Sequence, residues 1–367
     1  MVKIATMRDV AVRAGVSVTT VSRVLNGTGY VKTGTRRAVE AAIADLGYLP
    51  SGSARGLVTR RTGMLGLCLP DTGPVADLRA PVRVGQRVEV VPDHDSAGTV
   101  SWGGLYFGEV VRGAEYAAWQ AGFAITVAVA RPPESDARIR ELAGRVDGLI
   151  VVAGTQSDGL LDHLAHRVPV VLVAGPRPAG GFDHVGVDNA RGVQALVDHL
   201  HRAHGIRDIR YVAGRPDTPD DTERFAGFRA ALRRAGLPVP GAPALRGDFC
   251  RPTARRLARE LIAAHRAGDG PLPGALVCAN DETALGFLDV FTAEGYDVPG
   301  DIALTGFDGV DAGRTCSPRL TTVEQPMADL GRLAVDVLRA CLADPRLPRQ
   351  ERVAPVRVLL RDSCGPH

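Results

Sequence analysis

Four side chains in one short segment could read the edges of DNA bases. They are Val18, Thr19, Ser22 and Arg23, on the outer face of a predicted helix that begins near Ser17. The methyl groups of valine and threonine suit a thymine methyl, and the Thr19 hydroxyl can bond to either type of base edge. Arg23 carries a planar fork that pairs with guanine or clamps a phosphate. These residue types predict DNA contact, with ordinary helix surface as the alternative.

Two short helices with a turn between them would position these side chains. Thr6 and Asp9 have the spacing of a capping box, which predicts a helix start, and Gly15 tolerates the positive φ of a turn. The second helix would stop near Gly27. The apolar positions that would face inward are Val10, Ala11, Ala14, Val21, Val24 and Leu25. This arrangement is typical of a DNA-reading helix-turn-helix, although capped helical hairpins are also common in other proteins.

A third helix is predicted over residues 33–46, with Gly47 as its stop. Its apolar stripe would be Ala38, Val39, Ala42, Ile43 and Leu46. It would close a three-helix headpiece over residues 1–50. Arg36 and Arg37 of this helix would either contact phosphates or remain solvated.

The positive charge of the chain is concentrated at its N-terminal end. Residues 1–62 hold ten Lys/Arg and three Asp/Glu, which gives a net charge of +7. The remaining residues hold 34 Lys/Arg and 38 Asp/Glu, which gives a net charge of −4. Contact with DNA phosphates requires such a basic region. The asymmetry therefore supports the headpiece as the part that binds nucleic acid.

Length and composition narrow the class of protein. A chain of 367 residues predicts two or three domains, and 45% hydrophobic with 23% charged residues is typical of a globular protein. No apolar run of membrane-spanning length and no export signal are recognised, so we predict a cytoplasmic protein without a membrane partner. The six cysteines include no CxxC pair, which predicts neither a zinc site nor a disulfide framework.

From Met64 onward, short apolar runs alternate with amphipathic stretches. The predicted strands are Met64–Leu69, Ala124–Ala130, Gly148–Val152, Val168–Val173, Ile209–Ala213, Ala275–Cys278 and Ile302–Thr305. The predicted helices are Gly108–Ala121, Asp188–Ala203, Thr222–Ala235, Thr253–Ala267, Asp281–Glu294 and Met327–Ala343. This alternation predicts an α/β fold of parallel βαβ units in two halves, with a ligand cleft at the carboxyl ends of the strands.

Several motifs, in order along nearly the whole chain, resemble the lactose-repressor (LacI/GalR) family of bacterial transcription regulators. They are GVSVTTVSRVLNG, VKTGTRRAVEAAIADLGYLP, SGSARGL, VDNARG, ERFAGFRAAL, CANDETALG, IALTGFD and LTTVEQP. The resemblance implies an all-α helix-turn-helix headpiece, a hinge helix with a tether over residues 51–62, and an effector-binding and dimerisation domain over residues 63–367. That last domain would have the two-lobed fold of periplasmic sugar-binding proteins.

The resemblance extends the set of expected DNA contacts into the hinge. There Ala54 would pack on its partner in the other subunit, Arg55 would lie near the backbone, and Leu57 would wedge into the minor groove and kink the duplex. Glycines in this segment disfavour a helix, so we predict that the hinge becomes helical only on DNA. The full set of predicted contacts is Thr6, Val18, Thr19, Thr20, Ser22, Arg23, Asn26, Ala54, Arg55 and Leu57.

The resemblance also implies an effector site. Its predicted residues are Tyr106, Phe107, Arg224, Asn280, Asp281 and Asp308. An arginine fork donates to ligand oxygens, whereas carboxylates and amides accept from hydroxyls, which suits a sugar or related metabolite. Ala174 stands where the family usually has an acidic residue, which leaves a different saccharide, a nucleoside or another metabolite open. The two aromatic residues would either form a stacking wall or pack in the core.

One segment departs from the family pattern. About thirty additional residues, at about 73–104, separate the first strand of the effector domain from Tyr106. This insertion could cover the cleft, enlarge the dimer face or form an inert surface excursion.

We therefore predict a homodimeric transcription regulator, a repressor without a cofactor, that binds a near-palindromic double-stranded operator under the control of a small-molecule effector. One rival is a solute receptor that does not bind DNA, which the basic headpiece disfavours. Another is a hydrolase using Asp281 and Asp308, for which no catalytic motif stands in a suitable context. A metal site could be built from histidines 163, 166, 199, 201 and 204, but solvated helix ends are the expected state.

Overall fold

The chain divides into two compact units. A computed structural model describes residues 5–26, 28–48, 61–71, 104–130, 134–153, 159–175, 182–216 and 218–366. The first unit is Met1–Gly63 and the second is Met64–His367. The hinge residues Ala54, Arg55 and Leu57 and most of the insertion lie outside the described ranges, so the three-part division of the chain stays a prediction. In the described ranges no helix is long and apolar enough to cross a membrane.

The first unit contains the three predicted helices. They are α1 Met7–Ala14, α2 Val18–Asn26 and α3 Thr33–Leu46. The capping box at the start of α1 is confirmed, because the Asp9 amide donates to the Thr6 hydroxyl and the Asp9 carboxylate accepts from the Thr6 amide. Gly15 ends α1 with a φ of 66°, which a glycine adopts without strain.

Apolar side chains from all three helices form the core of this unit. The buried residues are Val10, Ala11, Val21, Val24, Val39, Ala42 and Tyr48. The prediction was wrong for Ala38, which is exposed because it lies at the edge of the apolar stripe of α3.

The second unit contains two six-stranded sheets, which define an N-terminal and a C-terminal lobe. Strands are numbered along the chain. The N-terminal lobe contains β1 Met64–Pro70, β2 Ala124–Ala130, β3 Gly148–Val152, β4 Val170–Val173, β5 Asp183–Val187 and β11 Glu351–Ala354. Their order is β11-β5-β4-β3-β1-β2, with every pair parallel.

The C-terminal lobe repeats the same architecture. Its strands are β6 Ile209–Ala213, β7 Leu245–Arg246, β8 Ala275–Cys278, β9 Ala303–Asp308, β10 Thr321–Glu324 and β12 Arg357–Leu359. Their order is β12-β10-β9-β8-β6-β7, and only β12 pairs in the antiparallel direction. The predicted fold class, two parallel-rich α/β lobes after a helical headpiece, is confirmed.

Helices connect the strands in both lobes. They are α4 Gly104–Gln120, α5 Ser135–Ala143, α6 Leu160–Ala165, α7 Asn189–His204, α8 Pro219–Arg234, α9 Arg251–Ala267, α10 Asp281–Ala293, α11 Ala312–Thr315 and α12 Met327–Ala343, followed by a 3₁₀ turn at Asp362–Cys364. The chain passes between the lobes three times, after β5, after β10 and after β11.

Sequence patterns missed some short elements of this domain. Strands β5, β7, β10, β11 and β12 and helices α5, α6 and α11 were not predicted. Strand β5 begins with two polar residues, Asp183 and His184, which are both buried. Strand β10 begins with two threonines, Thr321 and Thr322, which are also buried. Neither strand shows the continuous apolar run that marks a buried parallel strand.

Helices α4 and α12 contact each other through their backbones. A Cβ atom added at Gly113 would lie 1.8 Å from the carbonyl oxygen of Ala328, and one at Gly331 would lie 2.0 Å from that of Val110. Only glycine permits so close an approach. Helix α12 follows β10, a strand of the C-terminal lobe. The contact with α4 attaches α12 to the N-terminal lobe.

Candidate functional site

The predicted DNA-contacting residues of α2 differ in exposure. Val18, Thr19 and Arg23 are exposed, which suits direct contact with another molecule. Ser22 is half-buried. Thr20 is half-buried too, and its hydroxyl lies 2.9 Å from that of Ser17.

Ser17 caps this helix, because its hydroxyl accepts from the amide of Thr20 at 3.1 Å. Thr6 is exposed at the start of α1. Asn26 is the last residue of α2, and its side chain lies outside the described part of the chain. Sequence reasoning overlooked Tyr30, which is 88% exposed shortly after this helix.

Arg224 is the central cation of the cleft in the second unit. It lies on α8 and is almost completely buried, at 5% exposure. Its Nε donates to the side-chain oxygen of Asn189 at 2.8 Å, and its Nη1 donates to the carbonyl of Ala279 at 2.6 Å. The guanidinium lies 3.7 Å from the centre of the Phe307 ring. These contacts fix the plane of the guanidinium before any ligand arrives.

Asp308 lies beside this guanidinium, with its Oδ1 3.9 Å from Nη1 of Arg224. It ends β9 with a φ of 119°, a conformation that side-chain-bearing residues rarely adopt. Its Oδ1 accepts from Nε2 of Gln325 at 2.6 Å. Burial raises the pKa of Asp308, and the nearby Arg224 cation opposes that rise.

A donor and an acceptor remain open at this pair. Within the described ranges, neither Nη2 of Arg224 nor Oδ2 of Asp308 has a hydrogen-bond partner. A ligand hydroxyl could accept from the first and donate to the second.

Asp281 has a different environment, although the sequence predicted the same role for it. It is fully buried, and its Oδ2 accepts from the amides of Gly309 and Val310, both at 2.8 Å. Its Oδ1 accepts from the Thr322 hydroxyl at 2.5 Å. Burial and the Asp308 carboxylate raise the pKa of Asp281, and these three donors oppose the rise. We infer that Asp281 positions the backbone after Asp308, an arrangement that does not favour direct ligand contact.

Asn280 also serves the lobe itself. It caps α10, because its Oδ1 accepts from the Thr283 amide at 3.0 Å and from the Thr283 hydroxyl at 2.7 Å. Its Nδ2 donates to the carbonyl of Phe249 at 3.5 Å. The geometry supports a capping role for Asn280. Its contact with the effector stays a prediction.

Replacing Asp281 with alanine will destabilise the second unit. Three buried donors would lose their acceptor, which costs about 3 kcal/mol of the free energy of unfolding. For a unit of this size that lowers the melting temperature by about 5 °C in calorimetry. Asp311→Ala serves as the control, since that side chain is 95% exposed, and an equal loss in both variants would contradict the positioning role.

The two predicted aromatic residues lie near the start of α4. Tyr106 is half-buried, and its pKa is raised by burial and by the carboxylates of Asp220 and Asp308 from the other lobe. Phe107 is buried in the main apolar cluster, with its ring edge-on to that of Tyr106 at 5.1 Å. Tyr106 therefore faces the cleft, whereas Phe107 supports it from the core.

A hydrogen bond joins the two lobes at a residue that sequence reasoning missed. Asp220 of α8 accepts from the amide of Gly175, which follows β4, at 3.0 Å. It also accepts from the side-chain nitrogen of Asn189 at 2.9 Å, and Asn189 donates to Glu223 at 3.0 Å as well. Because Arg224 donates to the side-chain oxygen of Asn189, Asn189 connects the contact between Gly175 and Asp220 to Arg224. The place of Asn189 in the VDNARG motif was the signal by which the sequence could have indicated this contact.

A small recess opens beside this contact. It is lined in part by Gly175, Gly186, Asp220 and Glu223. His184 also lines it, is 4% exposed, and has no hydrogen-bond partner for either ring nitrogen in the described part of the chain. Ala174, which departs from the family pattern, has a φ of 61° and turns the chain towards this recess.

Comparison with known proteins agrees with both units. A profile of the lacI family of bacterial regulatory proteins matches residues 6–51, and one of the periplasmic binding protein-like domain matches residues 197–364. The HTH-type transcriptional repressor PurR of Klebsiella pneumoniae (strain 342) is 30% identical over 367 residues, covering 98% of this chain and 97% of that one.

Two solved structures resemble the whole chain. The lac repressor dimer bound to operator and the anti-inducer ONPF has a TM-score of 0.80 at 25% identity, covering 99% of this chain and 100% of that one. The complex of the transcriptional regulator CelR with cellobiose has a TM-score of 0.66 at 28% identity, covering 98% and 99%.

A helix-turn-helix unit followed by a two-lobed binding domain defines the class of ligand-controlled transcription regulators. With a 30% identical relative over nearly its full length, this chain belongs to the lacI family of bacterial regulatory proteins. It is a DNA-binding transcription regulator and not an enzyme.

Proposed function

We propose that this chain is a cytoplasmic repressor that binds a near-palindromic operator as a homodimer and releases or gains it when a polar metabolite enters the cleft. The lac repressor dimer, bound to operator in its structure, supports the dimer and the operator. Two headpieces related by a two-fold axis would read two half-sites. The net charge of +7 over residues 1–62 would supply the phosphate contacts.

The open donor of Arg224 and the open acceptor of Asp308 are the observation that supports binding of an effector in the cleft. A fixed donor beside a fixed acceptor suits a vicinal diol or a similar polar group of a sugar or nucleoside. Cellobiose in the CelR complex supports a saccharide. Tyr106 would close over the ligand from the N-terminal lobe, because the carboxylates of Asp220 and Asp308 in the other lobe raise its pKa.

Coupling requires only that the ligand bind one arrangement of the lobes better than the other. A preference of about 1–3 kcal/mol changes operator affinity by about 5- to 150-fold. The contact between Gly175 and Asp220 is a suitable point of difference, because it joins the lobes beside the ligand site. A change in the angle between the lobes would alter the position of Met64 and so the hinge segment that precedes it.

A two-stage experiment with the full-length protein tests this proposal. Selection from a random duplex library should yield a near-palindromic sequence, bound with strong salt dependence in fluorescence anisotropy. A thermal-shift screen of sugars and nucleosides should then yield a compound that raises the melting temperature and changes operator affinity. Failure to prefer any sequence at any salt concentration would refute the repressor. Stabilising compounds that leave operator affinity unchanged would refute the coupling.

A further inference from the structure

Two histidine rings and a thiol converge at the end of α7, far from the cleft. The Nε2 atoms of His199 and His204 lie 3.1 Å apart, and the Sγ of Cys364 lies 3.9 Å from Nε2 of His199. Candidate donor atoms of the three residues all lie within 4.8 Å of one another. Asn189 begins the same helix at the cleft, about 15 Å along the helix from His199 and about 22 Å from His204.

The 3₁₀ turn that carries Cys364 and the chain that follows it hold these side chains in place. Cys364 belongs to the 3₁₀ turn, where the neighbouring Ser363 hydroxyl donates to the carbonyl of Leu304 at 2.6 Å and accepts from the Thr321 amide at 2.9 Å. The turn is thereby fixed to β9 and β10. A Cβ atom added at Gly365 would lie 2.8 Å from the ring of His204, so the chain after the thiol packs directly on that ring.

We propose that His199, His204 and Cys364 form a zinc site with three protein ligands. Two imidazole nitrogens and a thiolate are a donor set that Zn²⁺ prefers. With Zn–N near 2.0 Å and Zn–S near 2.3 Å, a tetrahedral site needs about 3.3 Å between nitrogens and about 3.5 Å between nitrogen and sulfur. The two separations that involve Nε2 of His199, 3.1 and 3.9 Å, differ from these by a few tenths of an ångström, and the third, between Cys364 and His204, is at most 4.8 Å.

The remaining coordination position is open to water, since both histidines are only half-buried. Binding would require a deprotonated Cys364, so uptake of the ion releases a proton, and zinc affinity rises with pH. The ion would tie the C-terminal turn to the end of α7.

For His199 and His204 this proposal takes the place of the sequence expectation of solvated helix ends. Helical periodicity correctly places His201 on a different helix face from His199. The Nδ1 atom of His201 lies 3.1 Å from the carbonyl oxygen of Ile206. Periodicity could not anticipate Cys364, which is 160 residues further along the chain than His204.

Zinc content and affinity of the full-length protein test the site. Metal-stripped protein, titrated with Zn²⁺ against a chromophoric chelator, should bind one ion per chain. Co²⁺ in its place should give a tetrahedral spectrum with a thiolate charge-transfer band. His204→Gln and Cys364→Ser should each weaken Zn²⁺ binding by more than the 10- to 100-fold that changes outside the ligand set cost.

Two matched controls keep the result specific. His201→Gln and Cys341→Ser alter a neighbouring histidine and another half-buried cysteine, and both should bind Zn²⁺ like the original protein. Unchanged operator binding by the ligand variants would show that they are folded. Absence of stoichiometric Zn²⁺ binding, or equal loss in ligand and control variants, would overturn the site without affecting the proposed repressor function.

Discussion

Replacing Arg224 with alanine will shift the response of operator binding to higher effector concentrations. The open Nη2 donor would be lost, and a hydrogen bond to a charged group contributes about 1.5–3 kcal/mol, so the effector dissociation constant should rise about 10- to 100-fold. The variant would also leave the side-chain oxygen of Asn189 and the carbonyl of Ala279 without their present donor. The measurement is operator anisotropy titrated with the most stabilising compound of the thermal-shift screen.

Arg234→Ala is the matched control for this experiment. Arg234 lies on the same helix, α8, but pairs with Asp198 and Gln194 on the surface. Its replacement should leave both operator affinity and the effector response intact. Operator binding by the Arg224 variant without effector should also persist, since the DNA-contacting residues lie in the other unit. An unchanged effector response in the Arg224 variant would exclude this residue from the ligand site.

Replacing Arg23 with alanine will weaken operator binding by about 10- to 100-fold. A bidentate pair between arginine and guanine contributes about 1–3 kcal/mol of discrimination, and Arg23 is exposed on α2. Anisotropy with the selected operator and with single-base variants distinguishes the two possible roles. Loss confined to one base position indicates base reading, whereas uniform loss with a salt slope reduced by about one indicates a phosphate contact.

Arg13→Ala provides the comparison within the headpiece. Arg13 is exposed on α1 and pairs with Asp45 at 2.7 Å, so its removal should change operator affinity little. Equal affinity of the Arg23 variant and the original protein would mean that α2 does not read the operator through this residue. The melting temperature of the second unit should not change in either variant.

Local patterns were sufficient for most of the regular structure. The capping box at Thr6 and Asp9, the apolar stripes of the headpiece and the seven predicted strands all depend on neighbouring residues, which the sequence displays directly. Strand β5 could not be recognised in this way, because its first residues are polar and are buried only by the completed lobe. Burial of that kind depends on partners distant in the chain.

The motifs of the candidate ligand site do not reveal the role of each residue. Asp281 and Asp308 both stand at strand-to-helix junctions, and only the folded lobe separates them. Three donors from Gly309, Val310 and Thr322 engage Asp281, and the last of these belongs to a strand 41 residues away. Motif order therefore located the cleft, whereas the direction of each side chain required the tertiary structure.

The glycine contact between α4 and α12 has a consequence for signalling within the second unit. Because the backbones of the two helices touch at Gly113 and Gly331, no side chain separates them at these two points. A displacement of Tyr106 at the start of α4 must therefore carry α12 along with it as a rigid pair. The ligand would thus act on the connection between the lobes that runs from β10 through α12 to β11.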